Sequence, residues 1–321
     1  MIRFVIWLLL IGITLISPFF GAVKLDIQDI FNTHHLTNTI FFDIRLPRVI
    51  FAFFAGVILS LSGILFQTLF RNALMTPYTL GVSSGAVLGA GIAIKLGLST
   101  LIFGISTITV FGFGGAMLTV LLLLYLSYFL KDSSQNSLLL LGIALSLFYT
   151  SALMVVFYLS SAVQNDSLIR FTMGSLSIIG WQNPIFITVV ATVLTFFIYA
   201  YRFELQLFGI SNEHAMLKGV DTKKLTLLLL GVSSFSIGAL VSISGPIGFI
   251  GLIIPHIVSR LHPQNISNLI IKTALFGGMF LVACDTLTRV LNTQSELPIG
   301  IITSLVGAPF FIYLIISKGQ K

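Results

Sequence analysis

Apolar residues in this chain gather into ten blocks, most of them near the roughly 20 residues that carry an α-helix across a bilayer. Barrel strands would instead show as segments of about ten residues with alternating character, and that pattern does not recur. The blocks predict helical spans over 2–22, 47–70, 80–96, 101–130, 138–160, 184–202, 225–243, a broken one beginning at 245, 269–291 and 301–316. The first follows Arg3 as a signal-peptide core would, but its length and the spans behind it predict a membrane helix. Gly81, Gly85 and Gly89 recur every fourth residue of the third span, which puts small residues on one face and lets another helix approach closely. The fourth block is long enough to include a lead-in. Polar residues 164–170 introduce a stretch, 171–179, that is too short to span and is expected to form a short helix at the interface before Trp181.

The eighth span is irregular. Residues 245–260 read Gly-Pro-Ile-Gly-Phe-Ile-Gly-Leu-Ile-Ile-Pro-His-Ile-Val-Ser-Arg, in which Gly245, Pro246, Gly248, Gly251 and Pro255 interrupt a run apolar enough for lipid. Proline removes a backbone donor and an interior glycine costs about 1 kcal/mol relative to alanine. In hydrocarbon such backbone survives only where it is buried in protein or lines a wet cavity, so this stretch predicts a hinge or lining element in a packed bundle.

Composition narrows the class further. Of the 321 residues 56% are hydrophobic and only 8% charged, and mean hydropathy is +1.06. Soluble domains carry about 25% charged residues. The expectation is an all-α polytopic membrane protein whose single membrane domain covers 1–321. The net charge of +7 comes without a basic cluster interleaved with aromatics, so positive-inside topology explains it better than nucleic acid does. Eleven of the 17 Lys and Arg residues fall on the side that holds both termini, which predicts cytoplasmic ends. The single cysteine, Cys284, excludes an internal disulfide.

Several chemistries have no residues to support them. There is no G-x-x-x-x-G-K-[ST] loop for ATP, no H-E-x-x-H, and no pair of acids within the spans. Any energy for pumping must come from a partner, and no cofactor or metal is expected on this chain. Asp285, four residues before Arg289 on span nine, is expected to form a helical ion pair. His256 reads as a packing residue, while His34 and His35 in the first outer loop are weak candidates for touching metal or substrate. Arg45-Leu-Pro-Arg48 places two cations at the N-terminal end of a helix on the expected outer side, where the helix dipole disfavours them by about 0.3–1 kcal/mol. Partner carboxylates would compensate, with Arg289 as a third docking charge; snorkelling to lipid headgroups is the alternative.

The ordered series Arg45-Leu-Pro-Arg48, Gly56-x-x-Leu59-x-x-x-Gly63-x-x-x-Gln67-x-x-x-Arg71-Asn72, Leu80-Gly81-Val82-Ser83-Ser84-Gly85-Ala86, Met173-Gly174-Ser175-Leu176, the 245–260 run, Glu296-Leu297-Pro298-Ile299-Gly300 and Gly307-Ala308-Pro309-Phe310 resembles the FecCD/BtuC family of ABC importer permeases. Ala73 departs from that family's proline and is expected to let span two run one turn further. The resemblance implies a BtuC-like fold of about ten helices, a second permease subunit (a homodimer or a paralogue), two cytoplasmic ATPase subunits that use ATP and Mg, and a substrate-binding protein docked through Arg45, Arg48 and Arg289. It also implies residence in a bacterial cytoplasmic membrane. Residues 204–224 match the family's ATPase-coupling segment at Glu213, Ala215, Gly219, Val220 and Asp221, and differ at Ser211, Met216 and Lys218. Ser146, Tyr149, Thr150 and Leu153 share one face of span five, which lines the pathway in the family. An iron chelate such as a ferric siderophore is the implied cargo, with haem and cobalamin as alternatives. A different class, an ion-coupled secondary transporter, would need acids within the membrane or ion sites at broken helices.

Overall fold

The computed structural model describes residues 2–21, 23, 26–31, 36–98, 100–102, 105–129, 135–261, 265–291 and 297–318. His34, His35 and Glu296 lie outside the described residues. Helix α1 (Ile2–Ile16) ends in a 3₁₀ turn, Ser17–Phe19. The short α2 (Leu36–Thr39) then passes through a π-helical turn, Ile40–Arg45, into α3 (Leu46–Phe70). After α4 (Val82–Lys95) come β1 (Leu101–Ile102) and β2 (Ile105–Ser106), a two-stranded antiparallel ribbon pairing Leu101 with Ser106 and Ile102 with Ile105. This ribbon is the lead-in to α5 (Thr107–Phe129). The chain continues through α6 (Gln135–Tyr158), α7 (Ala162–Met173), α8 (Gln182–Ala200), α9 (Arg202–Ile210), α10 (Asn212–Leu217), α11 (Thr222–Ser244), α12 (Ile250–Leu261), α13 (Ile266–Leu291) and α14 (Ile299–Lys318).

Each of the ten apolar blocks therefore holds a helix. Among the described residues six helices are long and apolar enough to cross a membrane, and shorter apolar stretches fall in α1, α4, α12 and α14. The bundle is built around α3, whose apolar window is 83% buried by protein and which touches α8, α11, α12 and α13. Small residues make that density possible. A Cβ at Gly63 would lie 1.8 Å from the Gly251 carbonyl oxygen of α12, and one at Gly56 would lie 2.2 Å from the Gly277 oxygen of α13. The glycine face of α4 works as its spacing predicts: Gly85 and Gly89 meet α5 at Thr119, Gly115 and Phe111. Gly81 does something else, adopting φ 79° as the residue before α4, next to Ser146 of α6. Without a hydrophobic driving force between helices in lipid, this close packing and the dispersion it supplies hold the bundle together.

Two expectations are corrected. The short helix predicted over 171–179 lies earlier, at Ala162–Met173, because a capping box starts it: Ser161 Oγ accepts from the Gln164 amide and Gln164 Oε1 accepts from the Ser161 amide. Gly174, at φ 74°, ends it, and 174–179 is not helical. Nor does α3 run an extra turn past Phe70. Arg71 takes a left-handed conformation, φ 45°, and the Arg71 and Asn72 amides bond back to the Thr68 and Gln67 carbonyls, closing the helix before Ala73 can matter.

Candidate functional site

The broken stretch is where the fold departs furthest from regular helix. α11 stops at Ser244, Gly245 turns at φ 68°, and α12 starts only at Ile250. The glycine is required twice over, since a Cβ there would sit 2.1 Å from the Phe171 carbonyl oxygen. The unwound backbone is satisfied from elsewhere in the chain. The Tyr78 hydroxyl accepts from the Ile247 amide and donates to the Ile247 carbonyl, both at 2.5 Å. The Ser175 amide donates to the Ser244 carbonyl at 2.7 Å. Pro255 sits inside α12 and cannot donate to the carbonyl of Gly251 four residues earlier. Gln67 of α3 fills that gap: its Nε2 donates to the Gly251 oxygen at 3.1 Å. Thus Gln67 and Pro255, far apart in sequence, form one structural unit.

Beside this stretch lies an open groove of about 730 Å³, lined by Tyr78, Met173, Pro246, Gly248, Ser304 and Leu305 among others. Its walls are α14 and the unwound 246–248, with no charged side chain among its lining residues. The groove could not be foreseen from sequence, because it needs α14 and the broken segment to meet. Phe249 and Gly307 do that: Phe249 adopts φ 67°, and a Cβ at Gly307 would lie 2.4 Å from its ring.

The residues expected to line the pathway on α6 have distinct surroundings within the chain. Ser146 packs against Gly81, just before α4, Leu153 packs against Gly91 of α4, and Tyr149 is buried. Only Thr150 is exposed, its hydroxyl turned back to the Ser146 carbonyl at 2.8 Å. The physical reason is the small-residue surface of α4, which draws that face of α6 inward. The outward face carries Leu147, Phe148, Met154 and Val155 instead.

The three arginines expected to offer docking charges are buried, each with 5% relative exposure. Their compensation comes from inside the chain. Asp285, with no exposed surface, takes Arg48 Nη2 at 2.8 Å and Nε at 3.0 Å on Oδ1, and Arg289 Nε at 3.1 Å on Oδ2. The expected Asp285–Arg289 pair is present, with Arg48 as a further partner that sequence spacing could not reveal. Backbone carbonyls after α1 do the rest. Arg45 donates to Pro18, Phe19 and Val23, and Arg289 donates to Phe20 at 2.8 Å and to Ser17 Oγ at 2.6 Å. Within the chain, then, Asp285 and the carbonyls of the turn after α1 already compensate these cations.

At the opposite end of α11, α9 and α10 form an exposed two-helix element. Ser211, one of the departures noted above, caps α10 by accepting from the His214 amide at 2.8 Å. Gly219, at φ 85°, ends that helix, and the Val220 amide returns to the Ala215 carbonyl at 3.0 Å. Asp221 then caps α11 through the Lys224 amide at 3.1 Å, a bond that holds its carboxyl below the usual carboxylate range. Ala215 is buried, whereas Glu213 is exposed. Sequence matching missed the apolar surface beside it: Ile210, Met216 and Leu217 are exposed, the last by 85%.

An interrupted helix supported by protein neighbours, opening on an uncharged groove and tied to an exposed helical pair, is an arrangement suited to a membrane permease. The chain belongs to the FecCD transport family, whose model matches residues 8–317. It is 34% identical over 321 residues to the hemin transport system permease protein HmuU of Yersinia pestis, covering 98% of this chain and 95% of that one. To the cobalamin import system permease protein BtuC of Halobacterium salinarum it is 36% identical over 275 residues, covering 85% and 72%. A solved structure described as an inward-facing conformation of a metal-chelate type ABC transporter matches at a TM-score of 0.85 and 29% identity, over 98% of this chain and 99% of that chain. The protein is thus an ABC importer permease with a BtuC-like fold, and the broken 245–260 run lies inside the matched region.

Proposed function

We propose that this permease carries an iron chelate into the cytoplasm, pairing with a second permease subunit and driven by two separate ATPase subunits that use ATP and Mg. The observation that carries the reading is mechanical continuity. The exposed α9–α10 pair is capped onto the base of α11 by Gly219 and Asp221, and the far end of α11 is Gly245, where the unwound wall of the groove begins. A push on α9–α10 at the cytoplasmic face reaches the groove through one helix. Exposed Ile210, Met216 and Leu217 offer the apolar contact that an ATPase subunit needs, and Glu213 its polar rim.

The termini and α9–α10 then face the cytoplasm, in a bacterial inner membrane, and the Arg45–Arg48–Arg289 cluster faces outward. Contact with the arginines themselves requires the turn at Ser17–Phe20 to move aside, since its carbonyls occupy the donors. A groove without charged lining suits a large chelate that must pass without sticking. Haem is a second reading, favoured by the hemin permease matched over 98% of this chain. An ion-coupled carrier is disfavoured because Asp285 is neutralised by two arginines. Uptake of labelled ferric siderophore, haem and cobalamin by cells lacking the protein, with and without complementation, tests the cargo. Loss of none of the three would remove the proposal.

A further inference from the structure

Beyond transport, a second cavity lies at the α9–α10 end of the bundle, away from the groove. It measures about 590 Å³, within the roughly 300–1,000 Å³ of small-molecule sites, and sits where α3 ends and α13 begins, at headgroup depth for a spanning bundle. Its polar lining includes Arg71, Thr68, Gln206, Ser259 and Asn265, and no carboxylate is among its described lining residues.

Arg71 is held at this cavity by its surroundings. Its left-handed backbone closes α3, its Nε donates to the Phe208 carbonyl at 3.2 Å, and its guanidinium lies 5.8 Å from the centre of the Phe208 ring. That holds a permanent cation at the rim of the cavity. Ile266 opens α13, a 26-residue helix, at the same wall, so the positive end of its dipole adds to the field of Arg71. Ile64 and Leu205 give the cavity an apolar flank. A positive, polar recess with an apolar flank, at the end of membrane helices, is matched by a phosphate group on a glycerol stem.

We propose that this cavity binds a phosphate-bearing anion, with Arg71 as its charge contact and the amides of Gln206 and Asn265 as neutral partners. The same phosphate chemistry could come from an anionic lipid headgroup or from free phosphate, and the test separates them. Full-length protein in detergent is titrated with phosphatidylglycerol and phosphatidylcholine by native mass spectrometry, and with inorganic phosphate by calorimetry. Phosphatidylglycerol should bind about tenfold more tightly than phosphatidylcholine, and Arg71→Gln should erase that margin while Arg71→Lys keeps part of it. Gln206→Glu puts a carboxylate into the recess without touching the Arg71–Phe208 contact. It should weaken binding comparably and stays informative if Arg71→Gln fails to fold. Binding of phosphate without lipid preference assigns the site to a free anion. No lipid preference together with no phosphate binding overturns the proposal, as does binding that Gln206→Glu leaves unchanged.

Discussion

Replacing Asp285 by Asn isolates the electrostatics of the buried arginine cluster. The substitution keeps the side chain's shape and removes the carboxylate that meets Arg48 at 2.8 Å and Arg289 at 3.1 Å, in a position with no exposed surface. At the effective dielectric of about 20 that suits such sites, each contact is worth on the order of 4 kcal/mol in gross Coulomb attraction. Much of this is offset by the cost of holding the charges out of water, and breaking one side of a buried pair typically costs about 3–5 kcal/mol net. Thermal unfolding of the purified permease should therefore shift down by on the order of 5–10 °C. Arg48→Met alone should destabilise by a similar amount, whereas Arg48→Met combined with Asp285→Asn should lose less than the sum, because no carboxylate is then left without its cation. Strictly additive losses, or an Asp285→Asn protein that melts with the wild type, would refute the claim that Asp285 organises this end of the bundle.

Other outcomes follow from equally local geometry. Gln67→Leu leaves the Gly251 carbonyl without its side-chain donor and should cost about 1–3 kcal/mol, whereas the same change in a Pro255→Ala background should cost less, since residue 255 then has an amide to offer; equilibrium unfolding of the four proteins checks the cycle. Gly63→Ala drives a methyl into the Gly251 backbone and should destabilise by about 1–3 kcal/mol or prevent insertion of a folded protein, visible as loss of the monodisperse peak in size-exclusion chromatography. Gly219→Val forces a β-branched residue to φ 85° at the end of α10; uptake should fall severalfold while ATP hydrolysis by the assembled complex persists, and preserved coupling would remove the lever assignment. The Asp221 cap has a defined pH dependence. Its carboxyl is held below its unfolded value by the Lys224 amide, so the cap's contribution is present above the unfolded pKa and is lost as pH falls through the lower folded one. Hydrogen exchange at the first turn of α11 should accelerate across that acidic window, and Asp221→Asn should be insensitive to it.

Much of the architecture is legible without coordinates, because hydrocarbon leaves a spanning chain few options. Every backbone group in a lipid-facing span must be satisfied within its own helix, so block length and hydropathy alone report ten helices. The unusual features of 245–260 are equally visible, since glycine and proline act through local backbone chemistry. The glycine face of α4 also follows from spacing, and so do the Asp285–Arg289 pair at i, i+4 and the helix-ending role of Gly219.

What the sequence could not decide is who meets whom across the bundle. Arg45, Arg48 and Arg289 look like exposed, uncompensated cations when read along the chain. The close approach of α3 to α13 through Gly56 and Gly277 instead delivers Asp285 to Arg48, and the turn after α1 brings carbonyls to Arg45 and Arg289. The same holds for Tyr149, which is buried, and for Gln67, whose partner is a carbonyl freed by a proline 188 positions later. Local pattern fixes where helices run, because backbone hydrogen bonding is short-ranged in sequence. Compensation of buried charge and of broken helix is long-ranged in sequence and short-ranged in space, and only the tertiary structure supplies it.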